Sequence, residues 1–289
     1  MKNETNNNGL LSPTNWRTGT SSSLFRGLTE KDLEACREAG IECVEVCIFG
    51  NCFELEKKEL EQFCRKLDLQ GEKLGVEFWS VHLPFSRVLD ISATDEAQRR
   101  TVIQINKERL EAAACFKPKK AVIHPSFEPI EENREEHLKI CRESLKELSD
   151  YSHQLGIQLV VECLPRTCLG NTSEEIEKII EGLDDIGICC DTNHLLKETT
   201  EAFIRKLGPR IVTLHVSDYD RVDERHWKPG LGVNNWNAII GALAAHQYSG
   251  PWMFELRQPS PEKPITPADL KECWNSLLAS YVSSKSAYI

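Results

Sequence analysis

"IQLVVECLPRTCLGNTSEEIEKIIEGLDDIGICCDTNH", residues 157–194, is the stretch whose reading decides the fold. It opens with an apolar run that stops at Glu162, and it then passes through Pro165 and Gly170 into a segment of different period. "TSEEIEKIIEGL" (172–183) has a Thr cap, an acidic first turn and apolar residues three and four apart, the marks of an amphipathic helix closed by glycine. A second apolar run, "IGICC", follows and stops at Asp191. Two short apolar strands with a helix between them form a βαβ unit of a parallel sheet, whose strands are covered on both faces. Ending both strands on carboxylates is costly in a protein interior unless something uses the charge.

The same unit recurs on either side. Helical patterns run through 29–40, 54–71, 95–116, 134–156, 200–208, 234–247 and 266–282, and apolar runs lie between them at "IECVEVCI", "EFWSVHLPF", "KAVIHPS", "IVTLHVSDY" and "PWMFELRQ". Strand and helix alternating at a spacing of about 35 residues predict a single (β/α)8 TIM barrel, right-handed at each crossover. Residues 1–27 then form an N-terminal segment holding a weak first strand, for which "GLLSPTN" (9–15) is the candidate, and residues 28–289 form the rest of one barrel domain. A doubly wound open sheet would need a Gly-rich phosphate turn after its first strand, and the sequence has none.

Composition narrows the partners. A net charge of −10 disfavours the broad basic surface that holds nucleic acid or acidic lipid. The chain carries no basic-then-apolar leader and no apolar stretch long enough to span a bilayer, so a cytoplasmic protein without membrane or nucleic-acid partners is expected. A homo-oligomer is compatible with the sequence. The twelve cysteines are scattered without a CxxC pair and read as reduced, buried thiols.

Barrel chemistry gathers at the carboxyl ends of the strands. Read in order, those ends carry Glu45, His82, His124, Glu162, Asp191 with His194, His215 with Asp218, and Glu255 with Arg257. One histidine at a strand end is ordinarily a hydrogen-bonded structural residue. Four neighbouring strands that offer Glu162, Asp191, His215 and Glu255 are another matter, because three crowded carboxylates repel unless a cation holds them ionised. An oxygen-rich set with one imidazole suits one divalent ion: manganese first, then magnesium or cobalt, with zinc as a further option.

At these residues the chain resembles the xylose-isomerase-like superfamily, which includes ketose 3-epimerases, sugar isomerases, inositol-catabolism enzymes and endonuclease IV. The phrases that carry the resemblance are "VHLPF", "VIHPS", "LVVECLP", "CCDTNHLL", "TLHVSDYD", "RHWKPGLG" and "MFELR". The resemblance implies a metal-dependent isomerase or epimerase acting on a sugar, a polyol or a keto-sugar by proton transfer through an enediolate. Glu162 and Glu255 would be the catalytic acid–base pair as well as metal ligands. His194 would contact substrate, and His82, His124, His226 and Arg257 are expected to line the same pocket.

Two departures bear on the substrate. The second glutamate of ketose epimerases, six residues after the first, is Cys168 here, and their arginine before the "PG" turn is replaced by His226. A lyase or dehydratase acting on an oxidised sugar or inositol would use the same residues. An endonuclease IV-like phosphodiesterase with three metals is the other reading, since His82, His124, His194 and His226 match its additional ligand positions. That nuclease has an aspartate where this chain has Glu224.

Overall fold

In the computed structural model the described residues are 12–25, 27–48, 55–260 and 262–286. Among the described residues, eight parallel strands alternate with eight α-helices: β1 (Thr18–Ser21), α1 (Glu30–Ala39), β2 (Cys43–Cys47), α2 (Lys57–Leu74), β3 (Glu77–His82), α3 (Glu96–Ala113), β4 (Lys120–Ile123) and α4 (Arg134–Gln154) make the first half. The second half is β5 (Gln158–Glu162), α5 (Ser173–Ile180), β6 (Gly187–Asp191), α6 (Thr200–Leu207), β7 (Ile211–His215), α7 (Trp236–Ala245), β8 (Trp252–Phe254) and α8 (Pro267–Ser286). Neighbours in sequence are neighbours in the sheet, and β1 also pairs with β8. The ring closes just beyond β7, where Val216 N–H donates to Met253 O at 2.8 Å and Glu255 N–H donates to Val216 O at 3.1 Å. This is the (β/α)8 barrel expected from the sequence.

The first strand does not form where "GLLSPTN" places it. Residues 9–11 lie outside the described set, and Pro13–Asn15 is one 3-10 turn capped by Ser12. Proline fixes φ and has no N–H for a ladder. The strand is instead "TGTS", which lacks apolar side chains for a packing reason. A Cβ at Gly19 would come within 2.8 Å of both Cys43 Sγ and the Met253 methyl, so this wall of the barrel admits no side chain.

Strand parity positions the site. Along β5, Leu159 and Val161 join the large apolar core that includes residues of the surrounding helices, whereas Val160 packs inside the barrel with Val122 and Cys189. Two residues beyond each of these interior side chains, on the same face of its strand, stand Glu162, His124 and Asp191. The apolar plug thus becomes the floor of a polar site. Helix ends hold the frame: Thr29 and Asp32 form a reciprocal cap on α1, and Thr172 accepts from Glu175 N at the start of α5.

Of the eleven described cysteines ten are buried, and Cys52 lies outside the described residues. Burial pushes the Cys43 and Cys47 thiols up to about 12, which keeps them protonated. No described helix is long and apolar enough to cross a membrane.

Candidate metal centre and pocket

Glu162, Asp191, His215 and Glu255 come from the ends of β5, β6, β7 and β8, and each offers a donor atom within 4.8 Å of the others. His215 Nδ1 lies 3.1 Å from Glu162 Oε1, 3.4 Å from Glu255 Oε2 and 4.0 Å from Asp191 Oδ2. All but Glu255 are essentially sealed from solvent, and Asp191 Oδ2 is left without any hydrogen-bond donor. An orphaned carboxylate oxygen in a dry site is expensive, and here it faces other ligand-type atoms.

The electrostatics reflect the crowding. Burial raises Asp191 to about 7, and the Glu255 and Glu162 charges add to the effect while His194 opposes it. Burial would pull His215 down, but the Cys189 sulfur and the carboxylates of Glu255, Glu45 and Glu162 outweigh it and hold its pKa well above the usual imidazole range. Burial likewise opposes ionisation of Glu162, yet His215 and His124 bring it well below the carboxylate range. The raised His215 and the lowered Glu162 thus favour an imidazolium–carboxylate pair in the protein alone, whereas burial pulls His124 below the usual imidazole range.

Four further histidines surround this set. His82 Nε2 and His124 Nε2 lie 3.2 and 3.3 Å from Glu162 Oε2. His194 Nδ1 sits 3.4 Å from both Glu162 Oε1 and Asp191 Oδ2, while its Nε2 is 3.1 Å from Glu224 Oε2. His226 Nε2 is 3.8 Å from the same Glu224 oxygen, and His194, Glu224 and His226 form a second group whose donor atoms lie within 4.8 Å of one another. Arg257 is exposed at the rim, 3.6 Å from Glu224 Oε1.

The open space before these residues is a pocket of about 370 Å³, with Phe85, Leu164 and Leu256 among its apolar walls. His82, His124, Glu162, His194, His226, Glu255 and Arg257 all line it, so every residue expected to touch substrate faces one space. Asp191 and His215 lie behind them.

Three residues without an assigned role in the sequence reading shape this mouth. Asp218 accepts from Gly230 N, Gly232 N and Asn234 N and from the Trp236 indole, which folds the β7–α7 loop around one carboxylate. Asn193 Oδ1 accepts from the backbone of Arg225 and His226, holding His226 at a left-handed φ of 51°. Arg166 grips both oxygens of Glu128 and reaches Asp223 at 2.6 Å, tying three loops together. The Glu-x-His spacing of 224 and 226 was a visible signal for the second group; nothing local marks Arg166.

Fold and site together define a (β/α)8 barrel that gathers buried carboxylates and histidines at the carboxyl ends of its strands. The chain belongs to the xylose isomerase-like TIM barrel family, whose model matches residues 33–276. It is 24% identical over 255 residues to the inosose isomerase of Bacillus velezensis, covering 83% of this chain and 87% of that one. It is 23% identical over 183 residues to a probable endonuclease 4 of Acholeplasma laidlawii, covering 56% of this chain and 61% of that protein. A crystal structure of a D-tagatose 3-epimerase-like protein superposes with a TM-score of 0.78 at 22% identity, over 93% of this chain and 99% of that one, a likeness of fold.

Proposed function

We propose that this barrel is a divalent-metal-dependent isomerase or epimerase that moves a proton beside the carbonyl of a sugar or polyol-derived ketone. The observation that carries the reading is the converging set Glu162, Asp191, His215 and Glu255, with Asp191 Oδ2 unpartnered among them. Three carboxylates and one imidazole are the donor set of a hard divalent cation, manganese before magnesium, cobalt or zinc. Such an ion, when bound, supplies Lewis-acid polarisation of a carbonyl and its neighbouring hydroxyl.

The chain's own residues do the rest. Glu162 ends β5 and Glu255 directly follows β8, with two strands between β5 and β8, and both line the pocket. A substrate lying across the pocket therefore meets one carboxylate that can take a proton from carbon and another that can return it. In this reading His194, His226 and Arg257, which line the pocket, meet hydroxyl groups, and the apolar walls at Phe85 and Leu164 keep water from the reacting carbon. The pocket volume falls in the range of small-molecule sites. Similarity to an inosose isomerase supports the substrate class.

The test is a panel of ketoses, inositols and inososes incubated with the manganese-loaded protein in heavy water. Deuterium entering a carbon next to a carbonyl in one of them, abolished by chelator, is expected. Absence of exchange throughout the panel would overturn the reading.

One observation favours a second reading. The group His194, Glu224 and His226, together with His82 and His124 against Glu162, has the composition of additional ion sites, as a metal-cluster phosphodiesterase requires. Similarity to a probable endonuclease 4 points the same way. Against it stand the net charge of −10 and the acidic residues Glu128, Asp223 and Glu224 gathered around Arg166 at the mouth. Elemental analysis separates the two: one ion per chain for the isomerase, three for the phosphodiesterase.

A further inference from the structure

Among the described residues, Glu45 is a fully buried strand carboxylate that neither reading uses. It lies at the middle of β2 rather than at the strand end expected from the sequence, fully buried, and Ser80 Oγ on β3 donates to its Oε2 at 2.7 Å. Its other oxygen, Oε1, crosses the barrel to lie 2.9 Å from His215 Nε2. β2 and β7 are not neighbours, since β1 and β8 stand between them. The contact is a close ion-pair approach rather than a hydrogen bond of ordinary geometry, and neither Oε1 nor Nε2 has a hydrogen-bond partner elsewhere. Two polar atoms sealed from water at this distance have only each other to satisfy them. The His82 ring stacks on the His215 ring at 5.6 Å and 17°, which restricts its rotation.

We propose that Glu45 is a positioning residue that fixes which nitrogen of His215 is free to act. The imidazolium of the metal-free protein carries an N–H at both nitrogens, and when a cation takes the place of one proton the partner at the other nitrogen decides which proton stays. An acceptor at Nε2 keeps the proton there, so that Nδ1 is the atom that gives up its proton and offers its lone pair, on the side where Glu162, Glu255 and Asp191 converge. The negative charge behind the ring also strengthens Nδ1 as a donor. Ser80 keeps the carboxylate from turning away. The inference rests on the metal-binding reading of the four-residue set, and its test has one arm that does not require a metal.

In the first arm, manganese affinity is measured by chelator competition on the parent, Glu45→Gln and Glu45→Ala proteins, with circular dichroism and thermal unfolding to verify the fold. Loss of an outer carboxylate partner typically costs about tenfold to a hundredfold in metal affinity. Glu45→Gln keeps an acceptor and should lose less than Glu45→Ala. In the second arm, 15N-histidine-labelled metal-free protein is examined by NMR, with the His215→Gln spectrum identifying the His215 signals. A solvent-protected Nε2–H correlation is expected in the parent and in Glu45→Gln, and its loss in Glu45→Ala. Unchanged affinity in both folded variants, or an Nε2–H signal indifferent to Glu45→Ala, would overturn the proposal. If the parent binds no manganese, the metal reading fails while the second arm still decides whether Glu45 holds the ring.

Discussion

Glu162 Oε1 lies 3.1 Å from His215 Nδ1, although the two residues stand on strands with β6 between them. The other oxygen of Glu162 meets His82 and His124, so this carboxylate is the hub of the polar site. Replacing it with Gln keeps the shape and removes the charge that four imidazoles face. Glu162→Gln should weaken manganese binding and cut proton exchange with an identified substrate by about a hundredfold to ten-thousandfold, the usual worth of a general acid–base group. Calorimetry for the ion and NMR for the exchange check the two effects separately; parental values of both would remove Glu162 from the site.

Glu255 borders the pocket and is the more accessible carboxylate of the metal set. Gln at this position retains an oxygen but cannot take a proton. Glu255→Gln is expected to retain ion and substrate binding while solvent-hydrogen exchange falls by about two to four orders of magnitude. Exchange at the parental rate, with metal occupancy verified, would exclude Glu255 as a proton carrier.

Asp191 and His226 separate one ion from several. Asp191→Asn removes a charge at a fully buried member of the proposed ligand set and should deplete the bound ion. His226→Ala lies in the second group and should impair turnover with one ion per chain retained. A fall from three ions to two in His226→Ala, read by elemental analysis, would instead establish the phosphodiesterase-type cluster.

Asp218 resembles a ligand in sequence but acts on the backbone. Its carboxylate satisfies three loop N–H groups and the Trp236 indole in a buried setting. Removing it strands those donors, at about 1–3 kcal/mol for a buried unsatisfied group. Asp218→Ala should therefore lower the thermal midpoint and loosen the loop that carries Glu224 and His226. An unchanged midpoint would show the loop to be held by other contacts.

These cases show what the sequence could carry. The barrel was legible because α5 and the runs around it have unambiguous periods, and the four-residue set was legible because each member ends an apolar run. β1 was not legible: Gly19 lies against Cys43 and Met253 with no room for a side chain, and its neighbours are Thr and Ser, so the strand carries no apolar signal. Asp218 and Asp191 look alike as strand-end aspartates, and only the fold of the following loop tells a backbone anchor from a carboxylate that faces the converging set. Arg166 and Asn193 join loops distant in sequence, so no local pattern announces them.

The metal-free site and the metal-loaded site should respond to pH in opposite directions. Asp191 is raised to about 7 by burial in the folded protein, above its unfolded value of about 4. The stability it contributes is therefore present below about pH 4 and is lost as pH climbs through about 7. His215, held well above the imidazole range by the carboxylates around it, has the same sign: its contribution is present below about pH 6.5 and is lost as pH rises through its raised folded value. A divalent cation competes with those protons, so its affinity rises with pH and binding releases protons to the buffer. The thermal midpoint with saturating manganese, minus that with chelator, should thus be larger at about pH 8 than at about pH 6, and calorimetry in buffers of different ionisation enthalpy should register the released protons. A gap that is constant or shrinks with pH, with no proton release, would mean that Asp191 and His215 do not exchange protons for a cation.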